Sequence, residues 1–363
     1  MKILFFINAL QHGGAARVLV TLSNELSSRG HCVYIMADTL FQKVNYTASN
    51  NVNIIPRFHQ NHFNNLKPLR KIFNFYYIRN EIKKAKPDVI IGFMPRNYFL
   101  AKILSFGLTI PVIASERNDF RVNRDFHEYF IRNFIYPFAA AITFLSRRDV
   151  ELLGNKLPHK TVMYNPLTFS IPTETTMRKK TVLAAGRLDG WYHKGFDNLI
   201  NVWAQIAKNY PDWTLEIAGD GNDESFNFLK NLVSQLEIET QVIFLGFRND
   251  MDILFQTSSI FVLSSRYEGM GQVLLEAMSQ GCPCIAFEFD GRTREFITSS
   301  DVGIVVENQN MQDLEKSLIQ LIDNKDLRNS IEERSKQESF RFSKDKVTDQ
   351  WEALLNSVIT SRK

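Results

Sequence analysis

Ser265-Arg-Tyr-Glu-Gly-Met-Gly-Gln-Val-Leu-Leu-Glu-Ala-Met-Ser-Gln-Gly-Cys-Pro-Cys-Ile-Ala-Phe287 reads as a loop, a helix, a tight stop and a strand. Gly269 and Gly271 open the loop and let backbone N–H groups come close to a ligand. Val273 to Ser279 is apolar and helix-compatible, and Gly281 suits the left-handed residue that ends a helix. Pro283 and Ile285 begin a short buried strand. The amides of Met270, Gly271, Gln272 and Val273 stand where the helix begins, and a helix N-terminus carries partial positive charge, so this is a candidate anion site. Two carboxylates bracket it, Glu268 in the loop and Glu276 about a turn and a half inside the helix. Two acids facing phosphate would repel it. Acids that accept hydrogen bonds from hydroxyls, while amides hold phosphate, make a consistent site. A sugar nucleotide offers that arrangement.

Working outward, the same strand–glycine loop–helix pattern occurs once in each half of the chain. Lys2 to Asn8 is a continuous apolar run, as in a parallel strand buried on both faces. Gln11-His-Gly-Gly-Ala-Ala-Arg17 follows as a small-residue loop containing Gly13 and Gly14. A helical pattern then runs from Val18 to Arg29, with Gly30 as its stop, and Cys32 to Ala37 is the next strand. A glycine turn at the carboxyl end of a strand is where open α/β sheets bind ligands. The turn lacks a full G-x-G-x-x-G, and Asp38 keeps a dinucleotide reading open. In the second half, Lys180 to Gly186 is a strand, Arg187 to Gly195 a loop, Phe196 to Asn209 a helix and Trp213 to Gly219 a strand. Two such starts predict two doubly wound domains facing each other. Leu167 to Lys180, rich in Ser, Thr and Pro, is the expected linker.

Composition bounds the rest. The 363 residues suit two domains. The chain is 44% hydrophobic and 23% charged, with a net charge of +4, too weakly basic to imply nucleic acid. Cys32, Cys282 and Cys284 are odd in number, with two inside a buried strand, which points to free thiols in a reducing compartment. The apolar start lacks the features of a signal peptide, and Phe134 to Leu145 is too short to span a bilayer. These points predict a cytosolic chain that can still sit on a membrane surface. Asp250-Met-Asp252 has the form of a D-x-D metal motif, but a helix-capping role is the better reading. Asn310-Met-Gln-Asp313 resembles a capping box, and Ser343 to Leu355 reads as a terminal helix.

Glu268-Gly-Met-Gly-Gln-Val-Leu-Leu-Glu276, preceded by Ser264-Ser265, resembles the E-x7-E signature of retaining glycosyltransferases of family 4, which have the GT-B fold. Gly186-Arg-Leu-Asp189 with Lys194-Gly-Phe196 resembles the donor motif of the same family, and Gly13-Gly-Ala-Ala-Arg17 its glycine loop. The resemblance covers nearly the whole chain. It implies an N-terminal acceptor domain over 1–168, a nucleotide-sugar domain over 169–340, and a helix over 341–363 that crosses back to the first domain. It further implies retaining transfer of a hexose or N-acetylhexosamine from a nucleotide diphosphate sugar, most simply a UDP-sugar, without a metal. Arg187 and Lys194 are two fixed cations in one loop, suited to diphosphate charge; the plain alternative is surface charge around a turn. By the resemblance, Glu268 orients the donor hexose and Glu276 the ribose. Gly186, Gly219 and Gly246-Phe247 border the nucleotide, with Phe247 on the uracil side. Glu116, Arg117 and Asn118 face the acceptor; many relatives have a His where Arg117 falls. Trp191, Tyr192 and His193 make the donor loop bulkier than usual. A sugar-nucleotide epimerase and a non-catalytic sugar-nucleotide or glycan-binding module are the alternative functions.

From Arg57 to Lys86 eight Lys and Arg stand against one acid, Glu81, with aromatic residues between them. Leu66, Leu69, Ile72, Phe73 and Tyr76 fall near helical spacing. Cations and rings on one amphipathic element suit an anionic membrane surface. The expected acceptor is then a lipid-linked glycan, such as one on undecaprenyl diphosphate, met at the inner face of the cytoplasmic membrane by a peripheral protein. The alternative is an apolar stripe packed on its own domain beneath a solvated basic face.

Overall fold

The computed structural model describes residues 1–10, 14–38, 48–57, 67–120, 125–174 and 176–361, without the side chains of 67–71. The chain divides into two units. One holds Met1–Thr168 with Phe342–Lys363, the other Phe169–Arg341.

The first unit is built on a parallel sheet of β1 (Lys2–Ala9), β2 (Cys32–Asp38), β3 (Val52–Pro56), β4 (Val89–Phe93), β5 (Val112–Ser115), β6 (Ala141–Phe144) and β7 (Lys160–Val162), in the order β3-β2-β1-β4-β5-β6-β7. Strand side chains alternate between faces. Ile3 and Phe5 of β1 therefore enter one core, and Leu4 and Phe6 the other. The first core is closed by the helices Gly14–Ser28 and Lys344–Thr360. In the latter, Val347, Trp351, Leu355 and Val358 recur at helical spacing and are buried. The Arg29 guanidinium fastens this helix through Asp349 (2.7 Å) and Glu352 (2.9 Å), and His31 Nε2 lies 2.7 Å from the same Glu352. The second core is closed by Lys67–Ala85, Pro95–Leu104 and the segment from Phe126 to Phe138, whose middle, Ile131–Ile135, is π-helical.

The basic stretch thus holds a helix over Lys67–Ala85; residues 58–66 and the side chains of Lys67, Arg70 and Lys71 lie outside the described residues. Ile78 and Ile82 pack inward, whereas Ile72, Phe73 and Tyr76 are exposed, so the helix presents apolar groups on both sides.

The second unit carries β8 (Lys179–Ala185), β9 (Thr214–Ala218), β10 (Val242–Gly246), β11 (Ser258–Leu263), β12 (Cys284–Phe287) and β13 (Ile304–Val306), all parallel, in the order β10-β9-β8-β11-β12-β13. Strand order reverses between β8 and β11, and between β1 and β4 in the first unit. At such a switch point the loops beyond the carboxyl ends diverge and leave a crevice. Cys282 and Cys284 are free and buried, and burial pushes the Cys282 thiol up to about 12. Gly281, at φ 69°, ends the Gln272–Ser279 helix in the left-handed conformation.

Two expectations need correction. The end of the expected linker, Leu167 to Lys180, is firmly held. Arg178 donates to the carbonyls of Phe255 (2.8 Å), Ser258 (2.7 Å) and Gly281 (2.8 Å) and pairs with Glu332 at 3.0 Å, and Lys179 already begins β8. Asp250 does stand at the start of the Met251–Thr257 helix, but its carboxylate accepts from Arg248 at 2.8 and 2.5 Å and makes no cap. A fork-shaped guanidinium two residues away outcompetes a backbone amide. Asn310, by contrast, caps its helix, accepting from the Asp313 amide at 3.1 Å.

Candidate active site

Three glycines end β8, β9 and β10 or follow them directly, and they let backbone meet backbone. The Gly186 amide donates to the Ala218 carbonyl and the Gly219 amide to the Gly246 carbonyl, both at 2.9 Å. A Cβ on Gly219, whose φ is 151°, would stand 1.8 Å from the Gly186 carbonyl oxygen. Nothing larger than glycine fits there. Phe247, next after Gly246, is exposed.

Lys194 lies across this floor. Its stem covers Gly186, where an added Cβ would come within 3.1 Å of three Lys194 carbons. The loop is fixed from the other side by β11. Ser264 Oγ donates to the Lys194 carbonyl at 2.9 Å, and Gly195, at φ 68°, would place a Cβ 2.0 Å from the Ser264 carbonyl oxygen. The loops after β8 and β11 are therefore joined at the switch point. There Lys194 Nζ meets Glu268 Oε1 at 2.6 Å, and Ser265 Oγ donates to the same oxygen at 2.9 Å. The two side chains remain 20% and 13% exposed, shielded yet reachable.

The bulky residues of the donor loop build a support. Leu188–Gly190 and Trp191–Lys194 form short helical turns. Trp191 stacks on Phe228 at 4.1 Å and His193 on Tyr267 at 3.9 Å. Arg266 donates to both carboxylate oxygens of Asp197, at 2.8 and 2.7 Å, and its guanidinium lies 3.9 Å from the Tyr192 ring centroid. Sequence reasoning missed Arg266 and Asp197. The signal was a cation two residues before the first signature acid, with an acid beside the second glycine loop. Arg187, the other expected cation, is exposed and pairs with Asp189 at 2.7 Å. That bond, with the Asn222 amide, holds the Asp189 carboxyl below its usual range.

Past Glu268 and Gly269, Met270 is buried and Gly271 is left-handed at φ 72°. The helix opens at Gln272 without a side-chain cap, so its first amides, including that of Val273, face the loop. Glu276 sits inside that helix and is 4% exposed. The structure joins Lys194 and Glu268 directly and Gly186, Gly219 and Gly246 to one another.

In the first unit Gly14 opens its helix, a Cβ added there would meet nothing within 4 Å among the described residues, and Gly13 lies outside them. The expected acceptor residues are placed differently from one another. Glu116 is buried and accepts from Arg132 at 2.9 and 3.2 Å and from the Tyr136 hydroxyl at 3.1 Å. Arg117 is buried, donates to Ser115 Oγ (2.9 Å), the Met163 carbonyl (3.1 Å) and Asn165 Oδ1 (2.9 Å), and lies over the rings of Phe93 and Trp351. Burial lowers its pKa to about 9. These two side chains face into the unit, and Asn118 alone of the three is half-buried. Among the described residues no three His, Cys, Asp or Glu side chains gather as a metal site.

Two family models match the chain, "Glycosyltransferase Family 4" over residues 12–167 and "Glycosyl transferases group 1" over 170–338. A Haemophilus influenzae protein described as an uncharacterized glycosyltransferase is 28% identical, covering 98% of this chain and 99% of its own. A Campylobacter jejuni protein, named as an alpha-1,4-N-acetyl-D-galactosaminyltransferase of a diNAcBac-PP-undecaprenol glycan, is 27% identical over 99% of both chains. Among solved structures, HepE of Anabaena in complex with UDP superposes with a TM-score of 0.80 at 20% identity, covering 98% of this chain and 100% of that one.

Proposed function

Since the chain belongs to the glycosyltransferases of family 4 type with the GT-B fold, we propose that it moves a hexose or N-acetylhexosamine from a UDP-sugar to a lipid-linked glycan in bacterial surface polysaccharide assembly, with retention of configuration. The observation that carries this reading is the Lys194–Glu268 pair, 2.6 Å apart over a glycine floor at the switch point of the second sheet. An ammonium has three donors. One serves Glu268, and the others are available to the diphosphate. The second Glu268 oxygen is then suited to a hexose hydroxyl, and Glu276 to the ribose. Arg187 and the amides at Gly271 and Gln272 add positive potential where charge develops on the leaving phosphate.

The bond from the anomeric carbon to the UDP oxygen breaks while the acceptor oxygen bonds to that carbon from the same face. The acceptor hydroxyl proton passes to the leaving phosphate. No carboxylate nucleophile and no metal is needed in this scheme. The names of the Campylobacter jejuni relatives and the UDP complexes of HepE support the donor and acceptor classes. The first unit supplies the acceptor side, through Asn118, while the glycine loop at Gly14 is read as bordering the donor. The basic helix Lys67–Ala85 brings that unit to the anionic inner face of the cytoplasmic membrane.

The test is a panel of nucleotide sugars, first for thermal stabilisation and then for transfer to undecaprenyl-diphosphate-linked glycans, with excess chelator in parallel. One UDP-sugar should stabilise the protein and give an α-linked product by NMR, with activity unchanged by chelator. Sugar-nucleotide conversion without acceptor, or an inverted linkage, would refute the reading. Activity abolished by chelator and rescued by magnesium or manganese would refute its metal-free part.

A further inference from the structure

The two helical layers on the first sheet differ in what they show to solvent. Neither Gly14–Ser28 nor Lys344–Thr360 exposes a large apolar side chain among the described residues. The opposite layer exposes many. Phe106, just past the Pro95–Leu104 helix, is 83% exposed, Phe134 55% and Phe138 68%. Phe126, Tyr129 and Phe130 are also exposed, and the Phe130 and Phe134 rings stack at 5.2 Å. Beside them lie Ile72, Phe73 and Tyr76 of Lys67–Ala85.

These groups belong to one layer. Arg79 donates to the carbonyls of Leu104 (2.5 Å) and Phe106 (2.8 Å), which ties the Lys67–Ala85 helix to the end of Pro95–Leu104. Lys102 donates to the Phe138 carbonyl at 2.8 Å, which ties that helix to the aromatic segment. Exposed rings in such number on one side exceed what a solvated surface carries without a partner. The charge of this stretch is predominantly basic. From Lys67 to Phe138 the sequence holds 13 Lys and Arg against 6 Asp and Glu. Two of those acids are already neutralised, Glu116 by Arg132 and Glu81 by Lys84. Rings that need an apolar medium, framed by cations that need anions, match the interface of an anionic bilayer.

We propose that this layer is the membrane-docking face, with Phe106, Phe134 and Phe138 entering the interface while the basic helix holds the headgroups. The proposal rests on the membrane reading above and adds a component that salt cannot screen. The test is partition of the full chain onto vesicles of phosphatidylglycerol and phosphatidylcholine, at 0.1 and 1 M salt. Wild type is compared with Phe106→Ser/Phe134→Ser/Phe138→Ser and with Lys67→Gln/Arg70→Gln/Lys71→Gln. The aromatic variant should lose about a hundredfold in partition at both salts, as expected when three partly inserted rings are removed. The charge variant should lose binding at low salt only. Phe138→Trp should show a blue-shifted emission on vesicles, quenched by brominated lipid. Wild-type partition in the aromatic variant, with loss in the charge variant, would remove the rings and leave the basic helix. Absence of vesicle binding by wild type would overturn both. A wild-type dimer that the aromatic substitutions dissociate, without vesicle binding, would overturn the proposal and make the layer a subunit contact.

Discussion

Glu268 and Glu116 each follow the carboxyl end of a parallel strand and each meets a cation, Lys194 at 2.6 Å and Arg132 at 2.9 Å. They differ in what else is present. Glu116 comes directly after β5 and has its oxygens taken by two Arg132 bonds and the Tyr136 hydroxyl, at 1% exposure. Burial, with Glu116 second, pushes the Tyr136 hydroxyl pKa up, so it stays a donor. Glu268 lies further out, in a glycine loop, with one oxygen engaged and 13% of its side chain exposed. A saturated carboxylate against the end of a strand is framework. One held by a single oxygen in a glycine loop keeps capacity for a ligand.

The sharpest way to break this contrast is to remove each cation. Arg132→Ala leaves Glu116 buried and uncompensated, which should destabilise the first unit by about 3–5 kcal/mol. Activity per folded molecule should persist. An unchanged unfolding temperature with lost turnover would move this pair into the chemistry. Lys194→Ala should do the reverse, lowering turnover by about two to three orders of magnitude with little change in melting temperature. Arg187→Ala, at an exposed position already shared with Asp189, should lower turnover by about one to two orders. Wild-type turnover in either variant at saturating donor would take that residue out of the site.

The two signature acids should separate by ligand. Glu276→Ala should weaken both UDP and the UDP-sugar about tenfold, as for one lost hydrogen bond to a charged group. Glu268→Ala should weaken only the UDP-sugar. Calorimetry that finds equal losses for both ligands in both variants would end this division of roles.

The smallest effect concerns a third carboxylate, Glu352, more exposed than either Glu116 or Glu268. The hydrogen bond from His31, and then Arg29, hold the Glu352 carboxyl below its usual range. Its folded pKa being depressed, the stabilisation is present above the ordinary glutamate range and is lost as pH falls through the folded value. Thermal unfolding should show acid lability below about pH 4.3 that Glu352→Gln flattens. Identical profiles would mean this carboxylate contributes nothing measurable.

The glycine loops were legible because their glycines answer to backbone contacts. Gly195 against Ser264 and Gly219 against Gly186 admit no side chain, and such positions stand out in a single sequence. Two doubly wound units followed from the same repeats. The inward turn of Glu116 and Arg117 was not legible. Ser-Glu-Arg-Asn after a strand looks the same whether its charges face a ligand or a core. The partners that decide it for Glu116, Arg132 and Tyr136, lie in and just after a π-helical turn that breaks the usual spacing. The exposed rings were hidden for a related reason. Phe134 and Phe138 read as part of an apolar run, and only the packing of Ile131 and Tyr136 inward sends them outward.

The terminal helix carries a consequence for synthesis. Val347, Trp351, Leu355 and Val358 complete a core whose other buried members lie before residue 168. The chain leaves that unit after Thr168 and returns where the Leu167 amide donates to the Phe342 carbonyl at 2.8 Å. On the ribosome the second unit therefore emerges in full while the first still lacks one wall. The nascent first unit must keep Ile3, Phe5 and Leu19 from other partners for the whole time that 169–341 is being made, and a chaperone that binds apolar strands should find it during that interval.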